Sequence, residues 1–128
     1  MPLASQAIAL LDGYKPERPT SEYVFPSLRS KLRPMSNNAV LSALRNLGFP
    51  KEQVVGHGFR ATARTLLAEV LDYPSDWIEH QLAHRVKDPL GRAYNRTQYL
   101  EQRRVMMQGW ADYLDQLRLS EPAEPRDA

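Results

Sequence analysis

Four side chains between residues 57 and 94 have types and spacing that suit phosphodiester chemistry: His57, Arg60, His84 and Tyr94. An arginine is a permanent cation whose planar fork matches two phosphate oxygens, and a histidine can donate a hydrogen bond or move a proton near neutral pH. A tyrosine phenol becomes a useful nucleophile when cations and hydrogen bonds stabilise its phenolate. The set therefore predicts attack on a phosphodiester, with the cations stabilising the charged transition state.

Each of these groups also has an ordinary structural interpretation. A His-x-x-Arg pair such as His57 and Arg60 is common at helix starts, and a lone histidine such as His84 at a helix end is commonly a partner of the helix dipole. A lone tyrosine beside arginines, such as Tyr94, is usually part of the surface or of the core. The chemical interpretation depends on all four groups occurring together.

A metal site is the main chemical rival for the three histidines, His57, His80 and His84. Their spacing matches no zinc motif, and the sequence has no cysteine that could complete a ligand set. We therefore expect no metal, and we interpret His80 and Arg64 as structural or solvent-exposed.

Length and composition indicate one soluble globular domain. The chain has 128 residues, of which 42% are hydrophobic and 25% charged. No apolar run approaches the roughly 20 residues of a membrane span, and the first residues lack the features of a signal peptide. The absence of cysteine fits a cytoplasmic location. The net charge of +2 is small, so any case for nucleic acid must rest on local clusters of charge.

The spacing of apolar residues predicts a mainly α chain. The expected helices are Ser5–Leu11, Asn37–Leu47, Gly58–Leu71, one that begins near Ser75, and one or two within Arg92–Leu117. Ser5, Ser36 and Ser75 are expected to cap helices, and Gly13 and Gly48 to end them. Asp76 and Glu79 suit the positive N-terminal end of the fourth helix.

The same spacing predicts which faces are buried. The third helix should bury Phe59, Ala63, Leu66, Leu67 and Val70, and the fourth should bury Trp77, Ile78 and Leu82. The last helical region should bury Leu100, Met107, Trp110, Leu114 and Leu117. Tyr23–Phe25 is the only β-prone run, and Ser27–Pro34 is expected to be a basic loop.

Three ordered motifs carry a resemblance to a known family. His57–Leu67, Gln81–His84 and Ala93–Arg96 resemble the tyrosine recombinases, and most of all the prophage integrases of the P4 type. Flanking similarity at Ser21–Ser27, Arg33–Ser36 and Arg103–Trp110 extends the resemblance over roughly residues 2 to 117. It implies a fold that is the C-terminal portion of an integrase catalytic domain, mainly helical with at most a small β remnant.

The resemblance also implies a role for each of the four groups. Tyr94 would be the nucleophile that forms a 3′-phosphotyrosyl link to DNA and releases a 5′-hydroxyl. Arg60 would bind the non-bridging oxygens of the scissile phosphate, His57 would assist proton transfer, and His84 would donate a further hydrogen bond. No metal or nucleotide cofactor is implied, because the phosphotyrosyl bond stores the energy for religation.

The sequence departs from the family pattern upstream. The pattern begins with another arginine and a hairpin lysine, and neither has a counterpart in these 128 residues; Lys31 and Arg33 lie in the wrong place. Each missing cation typically costs several kcal/mol of transition-state stabilisation. We expect a partial catalytic domain over residues 1–118, inactive or feeble alone, followed by a disordered tail at 119–128.

Double-stranded DNA is the expected partner, with no membrane and no small-molecule substrate. The candidate contacts are clustered cations, which are Arg29, Lys31 and Arg33 in the basic loop, Arg92 and Arg96 around Tyr94, and Arg103 and Arg104 further on. The alternative for such residues is a solvated surface. Binding through them would be weak, salt-sensitive and directed at the DNA backbone.

The preferred function is DNA cleavage and rejoining during site-specific integration or excision of a mobile element. The alternative is a non-catalytic DNA-binding or oligomerisation module, because in this family the segment after the tyrosine often docks on a neighbouring protomer. Gly109–Leu117 is amphipathic enough for such self-association, or it packs on its own core. A helical protein–protein module unrelated to DNA leaves the three motifs unexplained.

Overall fold

The computed structural model describes residues 1–14, 21–84 and 99–120. Within these residues the chain forms helices and one two-stranded antiparallel sheet, which confirms the prediction of a mainly α chain with a small β element. The elements in order are α1 (Ser5–Tyr14), β1 (Pro26–Ser27), β2 (Ser30–Pro34), α2 (Ala39–Asn46), α3 (Gly58–Glu69), α4 (Ser75–Gln81) and α5 (Leu100–Ser120). None of the described helices combines the length and apolar character that crossing a bilayer requires.

The chain divides into two compact units. We call the first, Met1–Ala9 with Arg64–Ala128, the core unit, and the second, Leu10–Ala63, the hairpin unit. The buried residues of the hydrophobic core, among those that the structure describes, are Ala4, Leu67, Ile78 and Met106. All four belong to the core unit, so burial of apolar surface stabilises that unit most.

The core unit is built around three side chains from three helices. Leu67 of α3, Ile78 of α4 and Met106 of α5 contact one another at its centre. A shell of half-buried side chains packs around them: Ala68, Leu71, Tyr73, Trp77, Leu82, Met107 and Trp110. Replacing a fully buried aliphatic side chain of this size by alanine typically costs about 2 to 5 kcal/mol, so this cluster accounts for much of the unit's stability.

The face that α5 buries differs from the predicted one. Met107 and Trp110 pack on the core as expected, but Leu114 and Leu117 are 43% and 41% exposed. The residue that takes up the buried face instead is Arg103, whose Nε donates to Gln81 Oε1 at 3.0 Å. Burial lowers the pKa of Arg103 from its ordinary value. A charged residue on an apolar face is invisible to a search for hydrophobic spacing.

The predicted face of α3 is also only partly correct. Leu67 is buried and Leu66 and Ala63 are half-buried. Phe59 near the start of α3 and Val70 just after its end are 57% and 53% exposed. The spacing predicts the correct face of α3, but fewer residues along that face are buried than predicted. The middle of α3 therefore carries the packing.

Polar contacts attach the first turn of α1 to α5 within the core unit. The backbone N–H of Ser5 donates to Gln108 Oε1 at 2.9 Å, and Gln6 Nε2 donates to Asp112 Oδ1 at 2.7 Å. Gln108 Nε2 donates back to Gln6 Oε1 at 2.8 Å. The backbone N–H of Ser5, which has no partner within the helix, thus donates to Gln108. This contact replaces the expected cap by the Ser5 side chain.

Several helix ends differ from the sequence-based expectation. Gly13 lies inside α1, and α2 begins after Asn38, whose side chain makes no capping hydrogen bond, so Ser36 is not its cap. Pro74 occupies the cap position of α4, and Ser75 is its first helical residue. Gly48 does end α2 as predicted, with a φ of 90° that favours glycine.

The segment expected to be a basic loop is a β-hairpin. Ser27 pairs with Ser30 and Pro26 with Pro34, with an irregularity between the two pairs, and the N–H of Met35 donates to the Phe25 carbonyl at 2.8 Å. The β-prone run at Tyr23–Phe25 lies directly before the sheet, whose pairing begins at Pro26. Two prolines in the hairpin masked its β character in the sequence.

Candidate functional site

His57 and Arg60 lie one helical turn apart at the start of α3, in the hairpin unit. The His57 carbonyl accepts from the backbone N–H of Arg60 at 3.1 Å and of Ala61 at 3.2 Å, so His57 is the residue from which the helix begins. Both side chains are exposed. The positive end of the helix dipole lies beside them and favours an anion such as a phosphate.

The loop that leads into α3 is fixed by an arginine of α2. Arg45 donates from Nη1 to the Phe49 carbonyl at 2.7 Å and from Nη2 to the Val54 carbonyl at 2.8 Å. The second carbonyl lies three residues before His57. Arg45 therefore constrains the path of the chain toward the His57–Arg60 turn.

His84 lies just past the end of α4, in the core unit. Leu82 is the C-terminal cap, and Ala83 follows with a φ of 54°, in the left-handed region. The N–H of His84 donates to the Glu79 carbonyl at 3.0 Å, and that of Ala83 to the His80 carbonyl at 3.3 Å. These two bonds are the Schellman pattern that commonly ends helices, and they turn the chain back so that His84 lies beside Glu79.

The side chain of Glu79 joins His84 to Arg64. His84 Nδ1 lies 2.5 Å from Glu79 Oε2, and Arg64 Nε donates to Glu79 Oε1 at 2.7 Å. Burial raises the pKa of Glu79, but the hydrogen bonds and charges of His84 and Arg64 outweigh it, so the pKa lies below its ordinary value. Both oxygens of an ionised carboxylate are thus engaged.

His80 has a structural role, as expected. Its Nδ1 lies 2.6 Å from the Asp76 carbonyl, and its ring meets that of Tyr99 edge to face, with centroids 5.4 Å apart. Arg64 also matches its predicted role, because its side chain is half-exposed and forms an ion pair with Glu79. No cluster of three metal-binding acidic or histidine side chains occurs in the described parts of the chain.

Among the cations predicted to contact DNA, the first group lies in the β-hairpin. Arg29 lies in the hairpin turn, with Lys31 and Arg33 on β2, and all three are exposed. Lys31 and Arg33 are two residues apart on one strand, so they share a face and lie about 7 Å apart along it. The regular β2 strand therefore places Lys31 and Arg33 on the same face of the hairpin.

Arg103 and Arg104 of α5 are not both exposed, contrary to the prediction for this third group. Arg103 is buried against Gln81, so its guanidinium is not a surface group. Arg104 is exposed, and its Nη1 lies 3.1 Å from Glu101 Oε2. Only Arg104 of this pair is available at the surface.

Tyr94, Arg92 and Arg96 lie outside the described residues. His57 and Arg60 belong to the hairpin unit and His84 to the core unit. The convergence of His57, Arg60, His84 and Tyr94 on one phosphate stays a prediction.

The sequence is similar to integrases of phages and prophages. The chain is 44% identical over 117 residues to the integrase of Enterobacteria phage P4, and 45% identical over 112 residues to the prophage integrase IntA of Escherichia coli K12. The chain is related to the phage and prophage integrases. A second Escherichia coli K12 relative, the prophage integrase IntZ, is 44% identical over 117 residues.

These integrase matches cover 88 to 91% of the chain but only 27 to 28% of each relative. The chain therefore spans little more than a quarter of the length of the integrases it matches. No family model matches the sequence, and no solved structure matches it.

Sequence reasoning missed Glu79 and Arg45 in this integrase-related chain. Glu79 was assigned to the positive start of α4, whereas its carboxylate contacts His84 beyond the other end of the helix. The signal available was the five-residue separation between an acid and a histidine across a helix end. For Arg45 the sequence carries no comparable signal, because its partners are backbone carbonyls.

Proposed function

We propose that the chain is part of a site-specific DNA recombinase of the tyrosine-recombinase type, which integrates or excises a mobile element. The observation that carries this proposal is the identity of 44 to 45% to integrases, sustained over 88 to 91% of the chain. The three ordered motifs, His57–Leu67, Gln81–His84 and Ala93–Arg96, all lie within this chain.

In the proposed reaction the phenolic oxygen of Tyr94 attacks the scissile phosphorus. The bond from phosphorus to the 5′ oxygen breaks, that oxygen takes a proton and leaves as a hydroxyl, and a 3′-phosphotyrosyl bond forms. Arg60 binds the non-bridging oxygens, His57 assists proton transfer, and His84 donates a hydrogen bond to the phosphate. Their placement at the positive end of α3 supports the roles of His57 and Arg60.

No cofactor is part of this proposal. One phosphodiester is exchanged for another, so the energy of the broken bond is kept in the phosphotyrosyl link until a 5′-hydroxyl reverses the step. Cations and hydrogen bonds supply the stabilisation of the transition state. The site can therefore work without a metal or a nucleotide.

The 128-residue chain alone is proposed to be inactive or nearly so. It contains no counterpart of the upstream arginine and lysine that the family resemblance implies. Loss of one such group typically costs about 10²- to 10³-fold in rate, and here two are missing. Incubation with supercoiled plasmid should give no robust relaxation, and rapid relaxation would contradict this part of the proposal. The cytoplasmic location stays a prediction.

The catalytic proposal is tested by replacing the matching segment of the phage P4 integrase with this chain. The chimera should recombine its sites and form a covalent protein–DNA complex that resists detergent. Tyr94→Phe should abolish both, and Tyr113→Phe, which removes a hydroxyl from α5, should preserve both. Recombination that survives Tyr94→Phe would exclude Tyr94 as the nucleophile.

DNA contact through the hairpin is a separate part of the proposal. Arg29, Lys31 and Arg33 are exposed together, and each phosphate contact contributes about −0.9 to the slope of log affinity against log salt. Replacing all three by glutamine should weaken duplex binding, measured by fluorescence anisotropy, and flatten the slope by up to about 3. Lys51→Gln, an exposed lysine of the same unit, is the matched control. An unchanged slope in the triple variant would remove the hairpin from the interface.

A second candidate function is self-association without catalysis. Leu114 and Leu117 are three residues apart on α5 and remain partly exposed, whereas Met107 and Trp110 earlier in the helix pack on the core. Light scattering should then report a dimer that Leu114→Gln with Leu117→Gln converts to a monomer. A pure assembly module would also tolerate Tyr94→Phe in the chimera, which separates it from the enzyme.

A further inference from the structure

A carboxylate outside the three sequence motifs holds the ring of the proposed catalytic His84. Glu79 accepts from His84 in two ways: its carbonyl takes the backbone N–H at 3.0 Å, and its Oε2 lies 2.5 Å from Nδ1. One contact fixes the backbone and the other fixes the ring. Their combination defines both the position and the rotation of the imidazole.

The carboxylate is itself fixed from the other side. Arg64 Nε, on α3, donates to Oε1 at 2.7 Å, and the Glu79 side chain is only 23% exposed. The pKa of Glu79 lies below its ordinary value because the hydrogen bonds and charges of His84 and Arg64 outweigh the effect of burial. Glu79 is therefore ionised at neutral pH, and an ionised carboxylate can only accept hydrogen bonds.

This arrangement assigns the protons of the ring. Because Oε2 can only accept, Nδ1 of His84 must carry a proton, and Nε2 is the nitrogen left for another partner. In the neutral ring Nε2 is an acceptor, and in the imidazolium it is a donor suited to a phosphate oxygen. A hydrogen bond to one ring nitrogen commonly fixes the tautomer of functional histidines in this way.

We propose that Glu79 is a positioning residue for His84: it holds Nδ1–H, and Arg64 holds Glu79, so that Nε2 is the atom presented to the scissile phosphate. The first part concerns only contacts within the core unit. The phosphate in the second part rests on the function proposed above. Glu79 does not touch the reacting atoms, and it acts through His84 alone.

The test of the first part is the tautomer of His84 in the 128-residue chain. Long-range proton–nitrogen NMR, at a pH where the ring is neutral, should place the proton on Nδ1 in the unsubstituted chain. Glu79→Ala should shift the population by several-fold toward the tautomer with its proton on Nε2. Glu101→Gln removes the charge of an exposed glutamate that pairs with Arg104 in the same unit, and it should leave the ratio unchanged.

A second variant guards against loss of folding. Glu79→Gln keeps the size of the side chain and an acceptor oxygen, so it should retain more of the Nδ1–H tautomer than Glu79→Ala. Arg64→Gln, which frees Oε1 but leaves Oε2 in place, should have a smaller effect than Glu79→Ala. A His84 tautomer that is the same in the unsubstituted chain and in Glu79→Ala, Glu79→Gln and Arg64→Gln would overturn the proposal.

The chimera with the phage P4 integrase tests the second part. The loss of an outer partner of a metal-bound histidine costs roughly 10- to 100-fold in activity, and a similar loss of strand cleavage is expected for Glu79→Ala. In a His84→Ala background, Glu79→Ala should add little, because its effect passes through His84. Full additivity would overturn the proposal.

The two kinds of failure can be told apart. If cleavage depends on Tyr94 but the His84 tautomer ignores Glu79, the positioning role is wrong and the proposed function stands. If the tautomer depends on Glu79 but Tyr94→Phe still recombines, the proposed function is wrong, and the assignment of Nε2 to a phosphate is overturned with it.

Discussion

Gly109 should be a position where alanine, the best helix former, fails to stabilise a helix. It lies in the interior of α5, where exchanging glycine for alanine ordinarily gains about 1 kcal/mol. A Cβ at this position would run into the hydroxyl of Tyr73, a residue that packs against the hydrophobic core. The close approach of α5 to Tyr73 therefore depends on the missing side chain.

The expected size of the effect follows from two opposed contributions. Overpacking in a well-packed region costs about 1 to 3 kcal/mol, against the gain of about 1 kcal/mol in helix propensity. Gly109→Ala should therefore destabilise the chain by about 1 kcal/mol. In a Tyr73→Phe background the nearest atom is the ring Cζ at 3.4 Å, an ordinary contact, so the same substitution should stabilise it. The coupling between the two positions is expected to be about 2 kcal/mol.

Urea unfolding followed by circular dichroism measures these free energies for the four chains of the cycle. Gly13→Ala is the matched control, because Gly13 lies in α1 and a Cβ there meets nothing within 4 Å. Gly13→Ala should raise the free energy of unfolding or leave it unchanged, with or without the Tyr73 hydroxyl. If Gly109→Ala behaves like this control, or costs the same with and without the Tyr73 hydroxyl, the steric reasoning is refuted.

Three further predictions concern the surroundings of the site. Ala83→Gly should raise the free energy of unfolding by about 0.5 kcal/mol, because relief of the left-handed strain exceeds the entropy of glycine; thermal unfolding that shows a loss would contradict this. Arg45→Ala should cost about 1 to 3 kcal/mol in urea unfolding, since it leaves two carbonyls without their charged donor, and Arg118→Ala, at an exposed helix end, should cost far less. Glu79, whose folded pKa lies below its unfolded value, contributes stability above that unfolded value, and the contribution is lost as the pH falls through the folded pKa. Between pH 6 and pH 3, Glu79→Gln should therefore lose less stability than the unsubstituted chain, and equal losses would show that the carboxylate carries no such linkage.

The helices were predictable because apolar spacing and breakers such as Gly48 act locally. The presence of α3 and α5 follows from long periodic segments, and Leu67 and Ile78 were correctly placed in the core. The failures involve groups whose environment is decided by other parts of the chain. Arg103 is buried because Gln81 offers an acceptor, which no spacing rule can anticipate.

The candidate site was predictable to a different extent. The motifs pointed to His57, Arg60 and His84, and the local placement of His57 and Arg60 at a helix start was correct. The sequence predicts that Glu79 serves the N-terminal end of α4, whereas its carboxylate contacts His84 beyond the C-terminal end. The left-handed turn at Ala83 that allows this contact is not marked by a glycine. A turn of that kind in alanine has no sequence signal.

The uneven distribution of buried side chains has a kinetic consequence. None of the described residues of Leu10–Ala63 is fully buried, whereas the other unit contains Leu67, Ile78 and Met106. Amide hydrogens of α2 and of the hairpin should therefore exchange with solvent through local openings of low free energy, and those of α4 and α5 only through much larger openings. His57 and Arg60 belong to the fast-exchanging part and His84 to the slow part. A phosphate ligand bound at the start of α3 would slow exchange most around α2 and the first turn of α3, so the pattern of protection would show which residues become ordered on binding.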